Sequence, residues 1–184
     1  MKCADLLIAS YLEAYNVVRG VTGIGEGKGP YVSVHDAFYS QDEWAGFMPG
    51  ADRFALDFHK YACFGPQNTN PLAEIAKVPC QAYGELTNRS MSNFGLTTAG
   101  EFSNAVNDCG LYVNGVGKGT RYEGEFPGFD RVGSCDAWLD YQSWDAETKK
   151  NYMTYTQGHM DAFQVCSCVM VGLCCKSYRF LILL

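Results

Sequence analysis

One carboxylate stands at a position suited to chemistry. The run Leu96-Thr97-Thr98-Ala99-Gly100-Glu101-Phe102-Ser103 is rich in Thr and apolar residues, ends on a Gly, and places an acid directly after it. A buried strand delivering one acid at its tip reads this way. In parallel barrel folds the C-terminal ends of strands line the active site. Glu101 is therefore the first candidate for a catalytic residue. The pattern alone also fits a solvated loop Glu, which is the commoner case. Two further runs carry polar side chains to their ends. Tyr31 to Phe38, YVSVHDAF, delivers His35 and Asp36, and Phe54 to Phe64, FALDFHKYACF, delivers Asp57, His59 and Tyr61. A Tyr hydroxyl beside a carboxylate can orient it and stabilise charge. The same His and Tyr also suit a core in which their hydrogen bonds are satisfied.

The elements that must position these residues alternate. Ala4 to Val18 places Leu6, Leu7, Ile8, Tyr11, Leu12, Tyr15 and Val18 at helical spacing, and Gly20 with the Gly-rich VTGIGEGKGP ends that helix. The glycines there follow a helix instead of a strand and lack a Gly-Lys-Ser/Thr ending, which argues against a phosphate loop. Pro71 to Cys80 reads as a short helix, and a second is expected from about Phe102 to Val113. A long Gly-rich, aromatic loop then runs to Cys135. Asp145 to Phe163 is a clear helix, with Asp145 as N-cap and Tyr152, Tyr155, His159 and Phe163 recurring on one face. Strands alternating with helices predict parallel βα units and an α/β fold.

Bulk composition narrows the function classes. The chain has 184 residues, suited to one domain, whereas a complete (β/α)8 barrel typically needs ~250 residues. Formal net charge is −6 without a basic cluster, so nucleic acid is a poor partner. Aromatics make up 14 % of residues, which suits a sugar-binding cleft and a packed core alike. Asn88-Arg89-Ser90 fits an N-glycosylation sequon. The N-terminus lacks the long apolar core of a signal peptide. The stretch 165–184, VCSCVMVGLCCKSYRFLILL, breaks the preceding pattern and reads as an aberrant Cys-rich apolar tail. Lys176 and Arg179 make it a poor membrane span. Cys166-x-Cys168 and Cys174-Cys175 lack zinc spacing, so no metal is expected.

The stretch Leu96 to Gly124, LTTAGEFSNAVNDCGLYVNGVGKGTRYEG, resembles the nucleophile segment of fungal exo-β-1,3-glucanases, the glucan 1,3-β-glucosidase branch of glycoside hydrolase family 5. The resemblance covers about Leu6 to Gln164 and corresponds to the C-terminal part of a family member. It implies a partial (β/α)8 TIM barrel over residues 1–164, roughly strands five to seven with their helices, incomplete at both ends. It also implies a retaining hydrolase that releases glucose from β-1,3-glucan or laminari-oligosaccharide without a cofactor, at the cell wall or outside the cell. Glu101 takes the nucleophile position. His59, Tyr61 and Phe64 match a His-x-Tyr-x-x-Phe that lines the sugar site, and His35 falls in a matching His-Asp-Ala-Phe. Lys60, Ala62 and Cys63 depart from the commoner residues. Arg121 and Tyr122, in the Gly-rich loop, fall where the rim of the site is expected.

The resemblance further implies a loop-closing disulfide between Cys109 and Cys135, worth ~3 kcal/mol by loop entropy. It leaves Cys80 without its usual partner. The family's acid/base lies in an Asn-Glu-Pro motif, and the sequence contains none. The Trp-rich strand expected after Gln164 is also missing, as it would be if the reading frame ran into an intron there. Two alternatives stay open beside the hydrolase: a non-catalytic fragment or glucan-binding remnant, and a redox or metal module built on the tail cysteines.

Overall fold

The computed structural model describes residues 3–164, and the expectations for the Cys-rich tail lie outside them. The chain divides into two compact units, one of Met1–His59 and Asn88–Gly100, the other of Lys60–Thr87 and Glu101–Leu184. Three strands, β1 (Val32–His35), β2 (Phe54–Lys60) and β3 (Thr97–Phe102), form one small sheet in the order β1-β2-β3. β1 and β2 are parallel, with Val32 beside Phe54 and His35 beside Asp57. The Leu56 amide donates to the Leu96 carbonyl at 2.9 Å, which ties β2 to the start of the β3 run. Helices and a small parallel sheet make the fold α/β. β2 is the central strand, and its Ala55 and Leu56, on opposite faces, are both buried, as expected where both faces of a strand are covered.

In the first unit, helix α1 (Cys3–Thr22) sets Tyr11 and Tyr15 against a core of Val34, Trp44, Phe54 and Leu56. Arg19 on the same helix is buried, and its guanidinium donates to the carbonyls of Pro30, Asp52 and Arg53 at 2.8–3.0 Å. A guanidinium stays charged and brings several fixed donors. Arg19 therefore satisfies turn carbonyls that burial would otherwise orphan.

The second unit contains α2 (Leu72–Ile75), a π-helical turn (Pro79–Gly84), α4 (Asp136–Leu139) and α5 (Ala146–Gln164), and the turn runs on into α3 (Glu85–Asn93), whose residues from Asn88 on belong to the first unit. Ile75, Ala76, Val106 and Tyr155 form its core, with Leu72, Trp138 and Tyr152 against them. α5 passes the π-helical turn at Gly158, where a Cβ would make ordinary van der Waals contact with the Pro79 side chain at 3.4 Å and the Cys80 sulfur at 3.5 Å. Asp145 caps α5 by accepting the Thr148 amide at 2.7 Å, and that bond lowers its pKa. Among the described residues no helix is long and apolar enough to cross a membrane.

The helix expected from Phe102 to Val113 does not form; after β3 the chain runs through turns. Short polar side chains take the backbone donors that a helix would use. Ser103 Oγ accepts the Ala105 amide at 3.1 Å, and Asn107 Oδ1 accepts the Cys109 amide at 3.2 Å. Helix α3, in contrast, has no counterpart among the expected elements: ELTNRSMSN offers only Leu86 and Met91 as large apolar residues. Thr87 and Ser90 are nonetheless its buried residues. Each has a partner, Thr87 donating to the Tyr83 carbonyl and Ser90 meeting the Thr97 hydroxyl at 2.9 Å.

Candidate active site

The strand ends carry the polar groups. In the first unit, His35 closes β1, and its Nδ1 accepts the Ala37 amide at 3.0 Å. In the neutral ring the proton therefore sits on Nε2, which lies 3.6 Å from Asp36 Oδ1. Asp36 is fully buried, and Oδ1 also accepts the Phe38 amide at 2.9 Å. Ala37 and Phe38 both adopt positive φ, 54° and 60°. Consecutive left-handed residues of this kind store backbone strain, and such strain concentrates at functional sites. The turn presents Phe38, an exposed ring, at 4.9 Å from His35 and 6.3 Å from His59.

His59, near the end of β2, meets His35 edge to face with ring centroids 4.3 Å apart. Its Nε2 lies 3.3 Å from Asp57 Oδ2. The other oxygen of Asp57 accepts the Gly100 amide at 2.7 Å. A Cβ on Gly100 would collide with both Asp57 carboxylate oxygens. Gly100 has an ordinary φ, so a side chain there would be opposed by the Asp57 carboxylate, which would have to move, and not by the backbone conformation.

Glu101 comes directly after and is exposed. The residue beyond it is anchored in the second unit: Phe102 stacks on His159 of α5 at 5.7 Å and meets Phe163 at 5.1 Å. His159 is fully buried, with Nδ1 beside the Tyr155 carbonyl at 3.0 Å. Desolvation lowers its pKa, opposed by that carbonyl. Glu101 thus extends from a backbone held on either side, by Asp57 before it and by aromatic stacking after it.

Beyond Glu101 the loop is organised around one buried acid. Desolvation pushes the Asp108 carboxyl up, but hydrogen bonds from Asn114 and from the Arg121 and Tyr122 amides, with the Arg121 charge, outweigh it and hold the pKa below the usual range. Those donors lie at 2.7, 2.7 and 3.0 Å. Arg121 also bonds Asn114 Oδ1 and lies over the Phe126 ring at 4.2 Å. It is thereby a member of the clamp around Asp108. Cys109 and Cys135 are joined by a disulfide with Cα atoms 5.3 Å apart. Cys80 is also disulfide-bonded. Cys63 is the free cysteine among the described residues.

The structure therefore brings His35 to His59, and Tyr61 to Phe64 at 5.5 Å. The histidines lie in the first unit, while Glu101, Tyr61 and Phe64 lie in the second. Phe64 is 48 % exposed, open to stacking by a ligand. Phe38 and Asp108 are site residues that the sequence pattern does not single out, whereas Asp57 is among the groups that the pattern carries to a strand end. A signal exists for Asp57, an acid two residues before His59 on one strand face. None exists for Asp108, whose partners lie up to fourteen residues away.

No family model matches the chain. Curated proteins do. The chain is 32 % identical over 170 residues to a glucan 1,3-beta-glucosidase of Lachancea kluyveri, covering 88 % of this chain and 37 % of that protein. It is 32 % identical to glucan 1,3-beta-glucosidase 2 of Wickerhamomyces anomalus, covering 75 % and 33 %. It is also 32 % identical to glucan 1,3-beta-glucosidase I/II of Saccharomyces cerevisiae, covering 73 % and 31 %. The chain spans about a third of the length of these relatives. With its strand-end acid, histidine pair and aromatic residues, the chain is a relative of the glucan 1,3-beta-glucosidases, matched along part of their length.

Proposed function

We propose that this chain carries the nucleophile and part of the sugar site of a retaining glycoside hydrolase of family 5, acting on the non-reducing ends of β-1,3-glucan. The observation that carries the reading is Glu101 itself, exposed at the end of a strand whose neighbouring residues are fixed. In retaining hydrolysis one carboxylate attacks the anomeric carbon, and a second carboxyl about 5 Å away protonates the departing oxygen. Glu101 is the attacking group. His35 and His59, with Tyr61 and Phe64, hold the sugar, the aromatic ring of Phe64 stacking on it at the mouth. The three strands are an arc of a (β/α)8 barrel, and a location at the cell wall or outside the cell accompanies the reading. The Cys109–Cys135 disulfide supports that location. The chemistry needs no cofactor, since two carboxyl groups perform it.

The absence of an Asn-Glu-Pro motif favours a second reading for the chain by itself, a glucan-binding protein without turnover. General-acid help is typically worth about 10²–10⁴-fold, so natural glucan is expected to be cleaved very slowly by this polypeptide. An aryl glucoside with a dinitrophenolate leaving group needs no such help. The test uses its 2-deoxy-2-fluoro derivative and mass spectrometry. Expected is one fluoro-deoxyglucosyl group on the peptide containing Glu101, and none on Glu101→Gln. An unlabelled wild-type chain that is folded by circular dichroism would overturn the nucleophile assignment.

A further inference from the structure

One motif plays no part in the chemistry of Glu101. The sequence contains a single Asn-x-Ser/Thr triplet, Asn88-Arg89-Ser90, the pattern that accepts an N-linked oligosaccharide. The structure places it within α3. Asn88 is exposed, and so are Glu85 and Ser92, one turn to either side of it. Ser92 Oγ donates to the Asn88 carbonyl at 3.1 Å. The Asn88 side chain thus stands in a polar, solvent-facing stripe, where a bulky, hydrated substituent displaces no core residue.

Ser90 is the opposite case. It is 1 % exposed, and its hydroxyl meets that of Thr97 at 2.9 Å. Two helical positions turn a side chain through about 200°, so the folded helix holds Asn88 and Ser90 on opposite faces. In an extended chain the same spacing puts both on one side. An enzyme that must bind the Ser hydroxyl and the Asn amide together finds them together only before α3 forms. The sequence favours such a delay. Isolated helices shorter than about 12–15 residues are marginal in water, and Thr87, Asn88, Ser90, Ser92 and Asn93 are weak helix formers. The turn that leads into α3 also draws on a late partner, since the Cys80 sulfur lies 3.8 Å from the Gly158 carbonyl of α5, 78 residues further along the chain.

We propose that Asn88 is an N-glycosylation site, modified on the unfolded chain and then presented to solvent by α3. The co-reactant is an oligosaccharide linked to a polyprenyl diphosphate. Asn88 Nδ2 attacks C1 of the first sugar and forms the C–N bond. The bond from C1 to the diphosphate oxygen breaks, and the lipid diphosphate leaves with that electron pair. One Nδ2 proton passes to a base of the transferase. The proposal rests on the location outside the cell inferred above, because that route exposes the nascent chain to the transferase.

The test directs the full chain into the endoplasmic reticulum of a yeast behind a cleavable leader. Expected is a slower-migrating form that a peptide N-glycosidase collapses, leaving Asp in place of Asn88 in the released peptide. Asn88→Gln, at an exposed position, is expected to abolish that form. Ser90→Ala is expected to abolish it as well, although Asn88 is present, while Ser90→Thr retains it. The order of events has its own readout. With purified oligosaccharyltransferase and lipid-linked oligosaccharide, the folded chain is expected to be modified roughly tenfold more slowly than the reduced and alkylated chain, because it must first open locally. An unmodified wild-type chain recovered from the yeast compartment overturns the site, and equal rates in the purified system overturn the order. The leader supplies the compartment, so neither failure can be mistaken for a failure of the inferred location. A glycan at Asn88 beside an unlabelled Glu101 sinks the hydrolase reading and leaves the site standing.

Discussion

At the scale of the residue, the Asp57–Gly100 pair explains why a glycine precedes the strand-end acid. The carboxylate of Asp57 occupies the space that a side chain at position 100 would need, and it accepts the amide there. Gly100→Ala is expected to lower stability by about 1–3 kcal/mol through overpacking, read by thermal unfolding. The same change in an Asp57→Ala background is expected to cost clearly less. Equal costs in the two backgrounds would mean that the carboxylate is not the obstacle. Asp57 is a positioning residue for the backbone that carries Glu101, and no direct role in chemistry is assigned to it.

At the scale of the element, the segment after β3 is held by polar groups in place of a helix. Asp108→Asn replaces an acceptor facing backbone and side-chain donors with an amide, and is expected to cost about 2–4 kcal/mol. The direction of the shift sets the pH dependence. The folded pKa of Asp108 lies below its unfolded value, so its stabilisation is fully present above about pH 4 and is lost as pH falls through the folded pKa. His159 on α5 acts in the same sense at higher pH. Its folded pKa is depressed, so the neutral buried ring stabilises fully above about pH 6.5, and that contribution is lost as pH falls toward its folded pKa. Stability is therefore expected to decline in two stages on acidification, with His159→Phe removing the first. A single-stage decline in the wild type, measured by urea unfolding against pH, would contradict the assignment. The disulfide belongs to this scale too. It closes a loop over a sequence separation of 26, and Cys109→Ser with Cys135→Ser is expected to cost about 3.5 kcal/mol by loop entropy.

At the scale of the whole molecule, two features favour self-association. β1 and β3 are the outer strands of the three-stranded sheet, and strands at sheet edges present unpaired backbone groups. Helix α1 also exposes Leu6, Val17 and Val21, at 51, 58 and 85 % of their surface. Their spacing places them on one helical face, and contiguous exposed apolar surface promotes association. Sedimentation velocity is expected to show oligomers that grow with concentration, and Val17→Lys with Val21→Lys to shift the population toward monomer. A wild-type chain that stays monomeric at high micromolar concentration would remove this argument.

The sequence by itself determined the parts governed by local pattern. β-rich runs ending in polar residues gave three strands, with His35, His59 and Glu101 at or near their ends, and helical periodicity gave α1 and α5 with its Asp145 cap. These are legible because burial repeats at a fixed period along a strand or helix. The text of Leu96 to Gly124 also points to the glucan 1,3-beta-glucosidases, which the identity to the Lachancea kluyveri protein supports. Only the tertiary structure decided the path of the chain after β3. There the outcome depended on which distant amides could reach one buried carboxylate, and a helix that looks sound locally gives way to the Asp108 clamp. Helix α3 is illegible for the matching reason, since its buried face is made of Thr87 and Ser90, whose hydroxyls find partners that no local pattern announces. The Asp57 latch and the strained Phe38 turn are likewise properties of neighbours in space. Periodicity records which side of an element is buried, but the partner of each polar group is fixed only when the chain has folded.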